Sequence, residues 1–323
     1  MKRYDVVVIG GGAAGLSGAL ALVRSRRSVL VVDNGTPRNA PAEHVHNYLS
    51  RDGVPPAELY SIGRAEVGGY GGEVVIDTVT GVRRDGSEYG FVVELAGREA
   101  VEARRLLVTT GVVDVLPEVA GLAERFGRDV LHCPYCHGWE VRDHAIGVLA
   151  TNPMAGHQTL LFRQLSDDVT LFLNDVLEPS EEQWEEFAAR GISVVQGKVT
   201  SLEVTDDKLT GVRLEGGRVI PRQALAVQTR LEARADFLTD LGLKPVVREG
   251  RGVVVGTAID SDPTGATDVP GVWVAGNVAD PMGQVVTSAA AGLMAGAAIN
   301  GDLIADDTRN AVEAYRTRGA ISV

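Results

Sequence analysis

The chain has 323 residues, 45% of them hydrophobic, with 39 glycines, two cysteines and a formal net charge of −12. That length holds two domains with separate cores, and the glycine content fits a turn-rich α/β protein. The acidic balance argues against a nucleic-acid partner, whose phosphates it would repel. The chain enters a strand with no apolar leader and has no run of about 18 uninterrupted apolar residues, so a cytoplasmic protein with no membrane partner is expected.

Val6-Val7-Val8-Ile9 reads as a short apolar strand, followed at once by Gly10-Gly11-Gly12-Ala13-Ala14-Gly15 and a helix over Leu16 to Val23. In this pattern Gly10 allows a tight turn, Gly12 lets the backbone approach a pyrophosphate, and Gly15 lets helix and strand pack closely. The helix N-terminus then offers unpaired N–H groups to phosphate. Arg24, Arg26 and Arg27 lie at the far end, where cations suit the helix dipole. A second strand, Ser28 to Val32, ends in Asp33, about 20 residues on, where a carboxylate can bind ribose hydroxyls.

An irregular segment from Asn34 to Pro56 holds Arg38, His44, His46 and Asn47. A helix over Pro56 to Val67 and a strand over Glu73 to Thr78 follow. Val79 to Leu107 alternates around Asp85-Gly86 and Ala96-Gly97, which predicts a small antiparallel sheet. Its last strand, Arg105 to Val108, runs into Thr109-Thr110-Gly111. Further strands are expected at Ala145 to Ala150, Val169 to Leu173 and Ile192 to Gln196, with a helix over Ala155 to Leu165. Ser180 and Gln183 form a capping box that opens another helix. These alternations place a second βαβ domain at residues 116–245, inserted into a first made of 1–115 and 246–323. Val272-Trp273-Val274-Ala275-Gly276-Asn277 is the returning strand. A small-residue helix, fit for close packing against sheet or cofactor, runs from Gln284 to about Ile299.

Both cysteines lie in His132-Cys133-Pro134-Tyr135-Cys136-His137-Gly138-Trp139. Thiols at this spacing close a small disulfide ring, and a neighbouring imidazole can lower the attacking thiol's pKa or relay its proton. Zinc would need a second cysteine pair, and His132 and His137 are too close in sequence to fill two tetrahedral corners easily. A redox pair with no metal is expected, with His137 the first candidate base and His132 the second. His44, His46, His144 and His157 receive no role.

Taken in order, the N-terminal glycine motif with Asp33, Thr109-Thr110-Gly111, the central CxxC and Ala275-Gly276-Asn277…Asp280…Gln284-Val285 resemble the thioredoxin-reductase-like flavoproteins along nearly the whole chain. The resemblance implies two Rossmann-like domains, the second inserted in the first, bound FAD and a homodimer. It assigns FAD contacts to Gly10, Gly12, Ala13, Ala14, Gly15, Asp33, Asn34, Arg38, Asn47 and Val75. It adds Thr110, Gly111, Gly276, Asn277, Gln284 and Val285 from later in the chain.

The departures from that family are informative. Where the reductases carry a second glycine motif for NADPH, this chain has Ala150-Thr151-Asn152-Pro153-Met154-Ala155, and Pro153 removes a backbone donor. The next strand ends in Leu173-Asn174-Asp175, which would repel a 2′-phosphate. His137 stands where the family usually has an aspartate, and Asn277 where it has a carboxylate. Together these features are similar to the dithiol oxidases of gliotoxin- and holomycin-type natural products. That subgroup's chemistry implies a small-molecule dithiol as substrate and molecular oxygen as acceptor, giving hydrogen peroxide. Two rival readings remain open: a disulfide reductase fed by NAD(P)H or ferredoxin, and a flavin-binding redox sensor.

Overall fold

The computed structural model describes residues 1–84, 86 and 90–320. β1 (Arg3–Ile9), α1 (Ala13–Arg24) and β2 (Val29–Asp33) form the first βαβ unit. α2 (Pro56–Gly69) leads to β3 (Glu73–Ile76), two residues shorter than the expected Glu73 to Thr78. β4 (Val79–Arg84), β5 (Phe91–Leu95) and β6 (Val101–Val108) form the antiparallel meander that the alternation implied. Of the expected Asp85-Gly86 turn, Asp85 lies outside the described residues.

In the main sheet β3-β2-β1-β6 run parallel, in that order. Successive side chains of β1 point to opposite faces: Val6 and Val8 join one core, Val7 and Ile9 the other. Burial on both faces is why residues 6–9 of β1, and β2, read as continuous apolar runs.

β7 (Val112–Val115) leads out of this unit. The insert holds α3 (Leu122–Arg125), β8 (Val130–Leu131), α4 (Pro134–His137), β9 (Ile146–Leu149) and α5 (Ala155–Phe162). It continues with β10 (Val169–Phe172), α6 (Glu181–Ala189), β11 (Ser193–Val195), β12 (Val199–Thr205), β13 (Lys208–Leu214), β14 (Val219–Ile220) and β15 (Ala224–Val227). β11-β10-β9-β15-β8 is a parallel sheet, and β12-β13-β14 an antiparallel one. The capping box of α6 forms in full: Gln183 N donates to Ser180 Oγ at 3.2 Å, and Ser180 N to Gln183 Oε1 at 3.0 Å.

The return path differs from the expected boundary. β16 (Arg230–Ala233) pairs antiparallel with β7, and joins β17 (Val246–Gly250) and β18 (Val253–Ala258) in one four-stranded sheet. Ala235, Leu238 and Leu243, assigned to the insert from sequence, lie in the first unit's core. They form no strand, so they carry no period to reveal this. Leu238 sits in a 3₁₀ turn over Asp236–Leu241 and is fully buried.

β19 (Val272–Val274) pairs parallel with Leu106–Val108 of β6, adding a seventh strand to the main sheet. α7 (Val285–Ala320) runs about 20 residues beyond the expected end near Ile299. Asn300-Gly301 reads as a helix stop, but tertiary contacts override it. Leu303 is fully buried, Arg105 Nε donates to Asp302 at 2.5 Å, and Arg104 Nη2 donates to Asp306 and Asp307 at 2.9 and 2.6 Å. By length and hydropathy α7 could cross a membrane; here its small residues pack on α1. A Cβ on Gly292 would come within 2.0 Å of the Ala14 carbonyl, and one on Gly296 within 2.7 Å of Gly18's. The small-residue run therefore serves helix–helix contact along its length, and only the first turn of α7 reaches the cavity described next.

Candidate active site

One cavity of about 1520 Å³ lies between the two sheets and collects most residues singled out from sequence. Gly10, Gly12, Ala13 and Ala14 form its floor. Asp33, Asn34 and Arg38 line one wall, and Thr110, Gly111, Gly276, Asn277, Gln284 and Val285 line another. His132, Cys133, Cys136 and His137 face it from the insert.

The glycines explain the cradle. Gly10 has φ +109, and a Cβ there would meet the Thr109 carbonyl at 2.5 Å. A Cβ on Gly15, which does not line the cavity, would strike the Gly10 carbonyl at 1.9 Å, so it serves the close packing of helix on turn. A Cβ on Gly12 would meet nothing within 4 Å beyond its chain neighbours, and the residue caps α1 with no side-chain hydrogen bond. The first-turn N–H groups of α1 thus open onto free space, as a pyrophosphate requires. Thr109 Oγ1, not assigned from sequence, ties the turn by donating to the Gly10 carbonyl at 2.8 Å.

Several expected cofactor residues are otherwise engaged. Arg38 grips Asp114 with both Nε and Nη2, at 2.6 and 2.7 Å, and Thr229 Oγ1 donates to the same carboxylate at 2.7 Å. Burial pushes the Asp114 carboxyl up, but the guanidinium beside it prevails and holds it below its ordinary range. Asn34 caps its own turn through Thr36, and Thr110 Oγ1 donates to the Arg234 carbonyl. Asn277 Nδ2 reaches the carbonyls of Asp280, Pro281 and Gly283, fixing the loop that enters α7. Val75 pairs with Val32 inside the sheet, away from the cavity lining. Asn47 also falls outside the lining.

The cysteines flank one helical turn. Cys133 caps α4 in extended conformation, and its carbonyl accepts from Cys136 N and His137 N at 3.3 and 3.2 Å. Cys136 Sγ donates to Cys133 Sγ at 2.7 Å. That hydrogen bond lowers the Cys133 pKa to about 7 against the opposing effect of burial, helped by backbone N–H groups and by Arg38. The same bond, with burial, drives the Cys136 pKa well up. In the reduced pair Cys133 is therefore the thiolate and Cys136 the proton carrier.

Burial lowers the pKa of both His132 and His137, so both imidazoles are neutral near pH 7. His132 Nδ1 and His137 Nε2 are buried without a hydrogen-bond partner. His44, His46 and His157 line the same cavity; the carbonyl of His144 instead accepts from Ser166 Oγ. Sequence reasoning missed Asp114 and Thr229. An acid inside the apolar strand Val112–Val115 was a readable sign of a buried charge in need of a partner.

Two asparagine side chains tie the loop after β9, one from the loop and one from beyond β10. Asn152 Oδ1 accepts from Met154 N at 2.8 Å, and Asn174 Nδ2 donates to the Ala150 carbonyl at 3.1 Å. Asn152, Met154, His157 and Gln158 line the cavity that holds the cysteines.

The fold and the paired thiols define a flavin-dependent thiol/disulfide oxidoreductase. The chain belongs to the pyridine nucleotide-disulphide oxidoreductase family, whose model matches residues 4–292. It is 31% identical over 313 residues to thioredoxin reductase tcpT of Claviceps purpurea, covering 94% of this chain and 95% of that one. To thioredoxin reductase sirT of Leptosphaeria maculans it is 30% identical over 312 residues, covering 92% and 93%. It is similar to the solved structure of HlmI with a TM-score of 0.87 and 45% identity, over 96% of this chain and 95% of that one. Its thioredoxin-reductase-like relatives are FAD flavoproteins and so is this protein, in keeping with the open glycine cradle at α1.

Proposed function

We propose that the protein is a dithiol oxidase that closes an intramolecular disulfide in a small-molecule dithiol, with oxygen as acceptor and hydrogen peroxide as product. The observation that carries this reading is the pairing of a cavity-facing dithiol with a nucleotide loop closed by Asn152 and Asn174. The loop's Met154 N–H is already taken, and Pro153 offers none, so a pyridine nucleotide loses the donors it needs.

In the oxidised pair, a substrate thiolate attacks Cys133 Sγ, breaks the Cys133–Cys136 bond and leaves a mixed disulfide on Cys133. Neutral His137 accepts the proton of the incoming thiol. The second substrate thiolate attacks the substrate sulfur of that mixed disulfide and releases Cys133. The substrate is oxidised by two electrons, and Cys133 and Cys136 become thiols. The low pKa of Cys133 makes it the better leaving group for the second step. FAD, which Gly10, Gly12, Asp33 and the entry to α7 would hold, would supply the two-electron chemistry that re-oxidises the pair with oxygen as the acceptor.

A cytoplasmic homodimer fits this reading, since Leu293, Met294, Ile304 and Tyr315 leave apolar surface exposed along α7. The test is anaerobic flavin bleaching. A small dithiol should bleach it, NADPH and NADH should not, and air should restore the colour with stoichiometric hydrogen peroxide. The names of the curated relatives favour a second reading, a disulfide reductase. Fast bleaching by a pyridine nucleotide, followed by reduction of an added disulfide, would select it.

A further inference from the structure

The segment from Val45 to Val54 folds into a tight loop beside the cavity. Val45 N donates to the Val54 carbonyl and Gly53 N to the Val45 carbonyl, each at 2.8 Å. Within it, Asn47 has φ +60, and its backbone N–H donates to Asp52 Oδ1 at 2.9 Å. The tip thus holds Asn47 in a left-handed conformation that asparagine, aspartate and glycine tolerate best.

The Asn47 side chain turns toward the insert. Its Nδ2 donates at 2.6 Å to the carbonyl of Tyr135, a residue between the two cysteines. α4 is only four residues long, so its last carbonyls have no donor within the helix. Gly138 N serves the Pro134 carbonyl, and Asn47 serves the next one. A second contact flanks the first. His46 Nδ1 lies 3.4 Å from Asp52, and its Nε2 lies 3.1 Å from Glu140, just past α4. The Glu140 approach is off hydrogen-bond alignment, so the Asn47 bond is the one that fixes position.

We propose that this loop is a clasp that holds the thiol pair against the flavin cavity, with Asn47 a positioning residue for Cys133 and Cys136. The proposal rests on reading the two cysteines as the redox pair. It follows from one juxtaposition: the loop tip is fixed by the Asp52 carboxylate, and the Asn47 amide there is bonded to the backbone between the thiols. The clasp belongs to the first unit and its target to the insert. The bond therefore sets one domain's redox group against the other's cofactor cradle.

The test uses the full-length holoprotein with Asn47→Gly and Asn47→Asp. Both residues accept the left-handed backbone, and neither offers the amide donor; aspartate keeps the shape and sets an oxygen against the carbonyl. Three quantities are measured: FAD bound per chain, iodoacetamide alkylation of the reduced thiols, and anaerobic flavin bleaching by dithiothreitol. FAD content should match wild type. Alkylation should be about fivefold faster and bleaching about fivefold slower, the factor for losing one neutral hydrogen bond, with aspartate affected at least as much as glycine. Loss of FAD from Asn47→Gly would make the residue a cofactor contact and overturn the proposal. Unchanged alkylation and bleaching in both variants would also overturn it. If dithiothreitol bleaches not even the wild type, the oxidase reading fails, and the alkylation rates still decide the clasp.

Discussion

Removing the Cys136 thiol should move the titration of Cys133 more than any other single change. In the reduced pair the Cys136 S–H bond is the largest influence on Cys133, whose pKa falls from 9.0 to about 7. Cys136→Ala deletes the donor. What remains is burial, which raises the pKa, against the N–H groups of Cys136 and Tyr135 and the charge of Arg38, which lower it. The midpoint should therefore climb most of the way back toward an ordinary thiol. Cys136→Ser keeps an O–H donor and should lie between the two. The assay is the pH dependence of Cys133 alkylation by iodoacetamide in reduced protein, located by mass spectrometry. Thiolate is the reactive form, so the rate rises with pH and levels off above the pKa. A thiol with a lowered pKa is ionised in larger part at pH 7 than an ordinary one, although the more basic thiolate of the variant recovers part of the rate. The midpoint is free of that compensation. An unchanged midpoint in Cys136→Ala would refute the reasoning and leave the shift to Arg38 and the helix N-terminus.

Gly12→Val should fold normally but lose most of its FAD, because its Cβ meets nothing in the protein and projects into the cradle; flavin absorbance per chain and melting of the apoprotein check both halves. Arg38→Leu strands the buried Asp114 carboxylate. Stability should drop by about 2–4 kcal/mol near neutral pH in denaturant titrations. The wild-type Asp114 pKa is lowered, so the pair's contribution is present above the carboxylate range and lost as pH falls through it; the gap between the two proteins should close in acid. Ser180→Ala should cost about 1 kcal/mol, since it removes the side-chain half of a complete capping box. Flavin absorbance should be unchanged in that variant, because α6 is remote from the cavity lining.

The sequence by itself determined whatever depends on neighbours along the chain. The Gly10-to-Gly15 turn, the CxxC geometry and the Ser180 capping box are local. Their residues need the same φ, the same close approach or the same hydrogen bond in any fold that forms them. β2, β9 and β10 were legible too, because burial on two faces leaves continuous apolar runs, whereas β8 and β15 of the insert's parallel sheet were not predicted. Only tertiary structure decided where α7 ends, because Asn300-Gly301 is locally a stop, overridden by Leu303 in the core and by Arg104 and Arg105 on another strand. The placement of Ala235, Leu238 and Leu243 was likewise hidden, since a 3₁₀ turn carries no burial period. The partners of Arg38 and Asn47 lie 76 and 88 residues away in the chain. A single sequence shows that such side chains can bond, but the choice of Asp114 and the Tyr135 carbonyl is made by how two domains meet, and no local preference encodes that.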